Sequence, residues 1–303
     1  MKSLVGNKKV FENLSEALAS ENLSHAYLFS GPVSVGKTTA ALEMARVLLC
    51  ADGGEVDCLC PNCRQVSLMA HPDLHFLEGE VSGIEEIREI TRQLALAPYQ
   101  SRYRVAVIAH AQKLTIPALN SFLKTLEEPK KNTVIILTTE NKGTLLSTIV
   151  SRTRQVTFGT ISEKEIFEYL NREKYVKKDL AQDLSVLASG RIGMAVMMAE
   201  ESGDANSSIK EGENFLRIYR SESIADKISL AGKIAGDKED LRGRLVHLSV
   251  VLRNHLLQSV TKAKKEDTLM VISALDGLAK AEGLLMANIN TKIVIESLLL
   301  RSL

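Results

Sequence analysis

The segment GPVSVGKT, Gly31 to Thr38, constrains this chain more than any other stretch. It fits G-x-x-x-x-G-K-[ST] with no departure. It stands between an apolar run, AYLFS at Ala26–Ser30, and the helical pattern TTAALEMARVLLC. Such a loop needs both flanks. The strand leads into the turn, the glycines let backbone N–H groups face phosphate oxygens, and the helix adds the positive end of its dipole. Lys37 is placed to reach β- and γ-phosphates, and Thr38 to offer a hydroxyl to Mg²⁺. Gly31, Pro32, Val33, Ser34, Val35, Gly36, Lys37 and Thr38 are therefore the candidate residues for ATP or ADP with Mg²⁺. The bland alternative, a chance glycine turn before a helix, does not call for the strand.

The first half of the chain repeats the alternation of a parallel α/β sheet. Asn7–Ser20 carries apolar residues at helical spacing (Val10, Phe11, Leu14, Leu18), and a second strand is expected at Asp73–Leu77. Ile84–Leu96 returns to helical spacing through Ile84, Ile87, Ile90 and Leu94. Val105–Ile108 and Val134–Thr138 are short, continuously apolar and β-branched, as strands covered on both faces should be. Between them TIPALNSFLKTLEEP reads as a helix stopped by Pro129. All six prolines lie between Pro32 and Pro129, so the second half reads as long, uninterrupted helices. The expected organisation is an α/β core over 1–160 with a cysteine loop at 50–63, a small helical unit over 161–205, and an all-helical 206–303. SGDANSS, Ser202–Ser208, is the candidate linker.

A total of 38 basic and 37 acidic residues gives a net charge of +1, so nothing global favours nucleic acid. Any contact with DNA has to come from a local patch or through a partner. The N-terminal MKSLVGNKKVFENL lacks the apolar run of a signal peptide, and no stretch has membrane-spanning length, which predicts a cytoplasmic protein with no membrane partner.

Cys50, Cys58, Cys60 and Cys63, in LLCADGGEVDCLCPNCRQ, are all the cysteines in the chain. Four thiolates in a short polar loop suit structural, tetrahedral Zn²⁺, whose binding would fold a segment poor in apolar residues. Disulfides are the competing reading, disfavoured by a cytoplasmic chain. Cys50 alone could also be a core residue at a helix end.

One expected feature is missing. A phosphate-loop chain normally ends its next core strand with an acidic pair that holds Mg²⁺ and prepares water for attack. Here Val105–Ile108 runs into Ala109, His110 and Ala111.

Several further stretches carry a resemblance. LSHAYLFSGPVSVGKTTAA, HPDLHFLEGE, IEEIREI, ALNSFLKTLEEPKKNTVIILTTEN and LLSTIVSRTRQVTF, in that order, resemble the delta-prime family of bacterial clamp-loader subunits, within the AAA+ superfamily. The likeness is dense over the first 200 residues; the C-terminal third resembles the family only in being helical. It implies an AAA+ core, a helical lid and an oligomerising collar, with zinc in the cysteine insertion. It implies that Thr139 is the sensor beside the γ-phosphate, and that Arg152 of Ser151-Arg152 reaches into a neighbouring subunit's ATP site. An arginine suits that task through its planar, permanently charged fork; without the resemblance, Arg152 reads as a surface residue near a helix end. Four features depart from the pattern. Ala109 and His110 replace the acids, Met194 replaces the lid arginine, Thr153 follows the finger in place of cysteine, and the C-x-C step is tighter than the usual C-x-x-C pairs.

The resemblance thus implies a non-hydrolysing stator in a pentameric ring with gamma/tau and delta subunits, which places the sliding clamp on primed DNA. The competing readings are an ATP-hydrolysing gamma/tau-type motor, a small-molecule P-loop kinase and a stand-alone zinc-dependent DNA-binding module.

Overall fold

The computed structural model describes residues 4–19, 23–54, 58–78, 84–173, 178–202, 214–235, 245, 248–249, 251–253, 255–256, 265–286 and 289–300. By its internal contacts the chain divides into two compact units, Met1–Glu165 with Arg191–Gly193, and Ile166–Gly190 with Met194–Leu303.

The first unit is built on five parallel strands: β1 (Ala26–Ser30), β2 (Leu74–Glu78), β3 (Arg104–Ala109), β4 (Thr133–Thr139) and β5 (Arg154–Thr157). Their order across the sheet is β2-β3-β4-β1-β5. Every residue of β1, β3 and β4 is buried, and successive side chains serve opposite faces. Tyr27, Phe29, Val105, Val107, Val134 and Ile136 share one core with α1 (Lys8–Ala19) and α2 (Lys37–Leu49). Ala26, Leu28, Ala106, Ile108, Ile135 and Leu137 share the other with α4 (Ile84–Leu94) and α5 (Ile116–Glu127). A short helix α3 (Pro61–Ser67) follows the cysteine loop, and Val66 ties it to the first core.

Local chemistry sets the boundaries. Thr115 caps α5 by accepting the Ala118 N–H, with proline in the first turn, and the helix ends just before Pro129. α4 ends two residues earlier than its spacing suggests, ahead of Pro98. β2 starts at Leu74, one residue after the expected Asp73, whose carbonyl accepts the Val105 N–H and whose carboxylate accepts the Tyr99 N–H. β5 is an edge strand of mixed exposure, RQVT, where the sequence marks only a domain boundary.

The strand order positions the candidate site. β1 lies between β4 and β5, with Ser30 level with Thr139 and Thr157, and β3 lies beyond β4. The phosphate loop, the end of β4 and the end of β3 therefore lie along the same edge, at the strands' C-terminal ends, where α/β sheets bind ligands.

In the second unit the described residues form only helices: most of α7 (Glu163–Glu173), α8 (Lys178–Leu187), nearly all of α9 (Ile192–Ser202), 214–220, Ile224–Ala235, Lys265–Met286 and Thr291–Leu300, with short helical pieces between 245 and 256. Phe215 stacks on Tyr219 in a core with Ala231, Leu278, Ile295 and Leu298. The segments expected as lid and collar both fall largely in this unit; of the candidate linker, 203–208 lie outside the described residues. Among the described residues no helix is long and apolar enough to cross a membrane.

Candidate nucleotide site and cysteine cluster

The phosphate loop is shaped by backbone. Gly31 has φ 149°, and a Cβ there would lie 2.3 Å from the Phe158 carbonyl oxygen, because Phe158 continues the β5–β1 ladder by donating to Ser30 O. Gly36, at φ 91°, caps α2. Ser34 takes φ 60° without being glycine, a strained choice. Val35 anchors the loop in the core. Gly193, opening α9, donates to Ser34 O at 2.8 Å. The Lys37 ammonium is buried and donates to the Gly31 and Pro32 carbonyls at 2.8 and 2.6 Å. Burial lowers its pKa to about 8, against an opposing pull from Glu140. Thr38 stands half-buried in the first turn of α2.

At the adjacent strand ends no carboxylate comes from β3. Ala109 is buried, and His110 adopts φ 54°, donating its N–H to Thr138 Oγ1 at 3.1 Å. The imidazole is held toward its neutral form by burial first and then by Lys113. Nearby acids come from other strands: Glu78 approaches His110 Nε2 at 4.0 Å, and Glu140 accepts a bond from Gln112 at 3.0 Å. Sequence reasoning missed Glu78, which nothing in its own stretch marks as a neighbour of His110. Thr139 is fully buried at the end of β4, its hydroxyl bonded to Asn141 O at 3.2 Å. Met194 is buried within the second unit.

Arg152 lies elsewhere. It follows the short helix α6 (Ser147–Val150) and precedes β5, whose first residue, Arg154, pairs with Tyr27. That is the sheet edge opposite the phosphate loop, roughly 13 Å of strand away. Its guanidinium is fixed by Glu127 Oε1 at 2.6 Å, Thr148 O at 3.0 Å and Ser151 Oγ at 3.4 Å. Thr153 is buried, its hydroxyl turned back on the Ile149 and Val150 carbonyls.

The four cysteines converge. All are free thiols, and their sulfurs lie within 4.8 Å of one another. Cys50 Sγ is 3.6 Å from Cys58 Sγ and 3.8 Å from Cys60 Sγ. A tetrahedral Zn²⁺ with Zn–S of about 2.3 Å needs sulfur separations near ~3.8 Å, whereas a disulfide needs about 2 Å. The donor set could thus hold a metal ion such as zinc, with Cys50 a member rather than an isolated core residue. The tight C-x-C step is accommodated because Cys60 is the N-cap of α3, its sulfur accepting the Cys63 N–H at 3.4 Å. That bond is the chief cause of a Cys60 pKa lowered to about 6. Cys50 Sγ likewise accepts the Asp52 N–H.

A buried polar network braces this end of the unit. Asp73 is fully buried and accepts the N–H groups of Tyr99, Gln100 and Ser101 and an Arg104 bond at 3.1 Å. Ser101 and Asn62 both donate to Leu49 O, at the last turn of α2. Of this network HPDLHF supplies Asp73, which the sequence marked only as the start of an expected strand and as part of the resemblance.

With this geometry in view, comparison with known proteins is informative. The family described as DNA polymerase III, delta subunit, matches residues 6–162, about half of the chain. The chain belongs to that family. Among similar proteins, the delta' subunit of DNA polymerase III from Bacillus subtilis is 33% identical over 182 residues, 59% of this chain and 54% of that protein. The gamma/tau subunit from Mycobacterium bovis is 34% identical over 196 residues, 62% of this chain and 34% of that protein. The match therefore spans about half the length of the first relative and a third of the second. A DNA polymerase III gamma subunit-related protein of Thermotoga maritima, 17% identical, aligns over 95% of this chain and 98% of its own with a TM-score of 0.52. That likeness speaks for the fold alone, a parallel sheet with helices on both sides.

Proposed function

We propose that this chain is a delta-prime stator of a clamp loader: it binds nucleotide without hydrolysing it and lends Arg152 to a neighbouring subunit. One observation carries the reading. The phosphate loop is complete, with Lys37 seated in it, while β3 ends in Ala109 and a neutral His110 where catalysis needs carboxylates. A neutral imidazole is a poor ligand for Mg²⁺. Arg152 is consistent with the second half, because it follows α6 at the end of the sheet opposite its own phosphate loop. In this reading Thr38 faces the nucleotide, Thr139 becomes the sensor when its hydroxyl turns from Asn141 O, 161–205 is the lid and 206–303 the collar. The partners are gamma/tau and delta subunits, and in the assembled ring the sliding clamp and primed DNA. The relationship to gamma/tau proteins keeps an ATP-hydrolysing motor as the second reading.

Phosphate release separates the two. The purified chain should show no turnover above background; steady turnover abolished by Lys37→Ala would establish the motor. In the reconstituted complex, Arg152→Ala should assemble yet cost roughly 10³-fold at the affected site, with little rescue by lysine. Full complex ATPase in Arg152→Ala would remove the finger role.

A further inference from the structure

The cysteine cluster has a cationic neighbour that the metal reading does not use. Arg46 stands one turn before Cys50 on α2, and its Nη1 donates to Cys63 Sγ at 3.3 Å. Its other edge makes two parallel bonds to Glu43, Nε to Oε2 at 2.7 Å and Nη2 to Oε1 at 2.8 Å. Both side chains are only 14% exposed. The pair is therefore not a loose surface contact.

Four thiolates around Zn²⁺ leave a net charge of −2 beside the core that buries Cys60 and Cys63. A charged N–H donor to one sulfur withdraws part of that charge, at the ligand with least access to water. Glu43 holds the planar fork with Nη1 toward the sulfur, so the long side chain need not be ordered when metal binds. Groups in this outer position commonly change metal affinity by 10–100-fold.

We propose that Arg46, oriented by Glu43, is a positioning residue of the metal site that strengthens Zn²⁺ binding through Cys63 and fastens the metal to α2. This rests on the cluster being a zinc site. Zn²⁺ titration of the full chain against a chromophoric chelator tests both steps. Wild type should bind about one Zn²⁺ per chain. Arg46→Leu should bind it roughly tenfold or more weakly, Arg46→Lys should recover part of the loss, and Glu43→Gln should show a smaller loss. Thermal unfolding with and without metal supplies the control: Arg46→Leu leaves Glu43 without its partner and should lower both midpoints, but the metal-loaded one by more, narrowing the gap between them. Wild-type affinity in Arg46→Leu would overturn the proposal. So would equal losses in the metal-loaded and metal-free midpoints, which would make Arg46 a packing residue. A gain in affinity in Glu43→Gln would overturn the orienting role. Wild type without bound metal would instead remove the zinc reading beneath it.

Discussion

The two ends of α2 carry the two candidate sites of the first unit, about 20 Å apart along one helix axis. They are made differently. The N-terminal end is backbone: left-handed φ values at Ser34 and Gly36, a glycine forced at 31 by the Phe158 carbonyl, and a single buried lysine. The C-terminal end is side chain: four sulfurs, Arg46, Asn62 and the Asp73 network. A backbone site is specified within eight consecutive residues and is complete as soon as the sheet forms. A side-chain site depends on distant partners and on a metal whose binding is itself folding free energy.

The largest effect that could break this contrast comes from Asp73. Asp73→Ala strands the buried Arg104 and three backbone N–H groups, and should destabilise by about 3–5 kcal/mol, a drop in midpoint on the order of 10 °C. The loss should loosen metal binding, through Ser101 and Leu49, and leave nucleotide affinity intact; a parallel fall in nucleotide affinity would show that the ends are not independent. Acid should reproduce part of it. Burial alone would raise the Asp73 pKa, but the N–H groups of Gln100, Tyr99 and Ser101 and the Arg104 guanidinium prevail and lower it. Its contribution is therefore present above the ordinary carboxylate value near ~4 and is lost as pH falls through the depressed folded value. Calorimetry across pH 2–7 of wild type and Asp73→Asn would display the difference.

A middle-sized effect belongs to the other end. With Lys37 at about 8, nucleotide affinity should hold below that pH and decline above it, by up to about tenfold per unit. Titration with a fluorescent nucleotide between pH 7 and 9.5 measures this, and Lys37→Met should flatten the profile. Folding stability should move oppositely, rising between about 8 and the unfolded value of 10.5, where only the unfolded chain keeps the proton.

The smallest effect sharpens the claim that this end is backbone-made. Ser34→Gly should relieve a left-handed serine and stabilise by about 0.5–1 kcal/mol, read as a rise of roughly 1–3 °C. An unchanged midpoint would mean that glycine's greater loss of backbone freedom on folding cancels the relief of strain.

The same contrast explains what could be read from residues alone. β1, β3 and β4 announce themselves because both faces are covered, which leaves no polar residue to blur the run. β5 does not, since an edge strand such as RQVT resembles a loop. The phosphate loop is legible because its parts are contiguous, and the cysteines because their element is rare. Glu43, Glu78, Glu127 and Asp73 are ordinary acids whose importance lies in what the fold brings opposite them: Cys63 through Arg46, His110, Arg152, and the 99–101 turn. Apart from the i,i+3 spacing of Glu43 and Arg46 on α2, no local periodicity encodes those meetings.

The sheet order has a consequence for how the protein is made. Of the five strands of this sheet β1 is the first to be synthesised, yet its neighbours are β4 and β5. β4 follows roughly a hundred residues later, on the order of five to twenty seconds at ordinary elongation rates. β2 and β3 meet sooner, being adjacent in both sequence and sheet. Throughout that interval AYLFS has no strand on either side, and its unpaired edges and apolar faces are the kind that chaperones bind. The first strand synthesised therefore waits longest for its partners, and the phosphate loop attached to it takes shape only when β4 and β5 arrive.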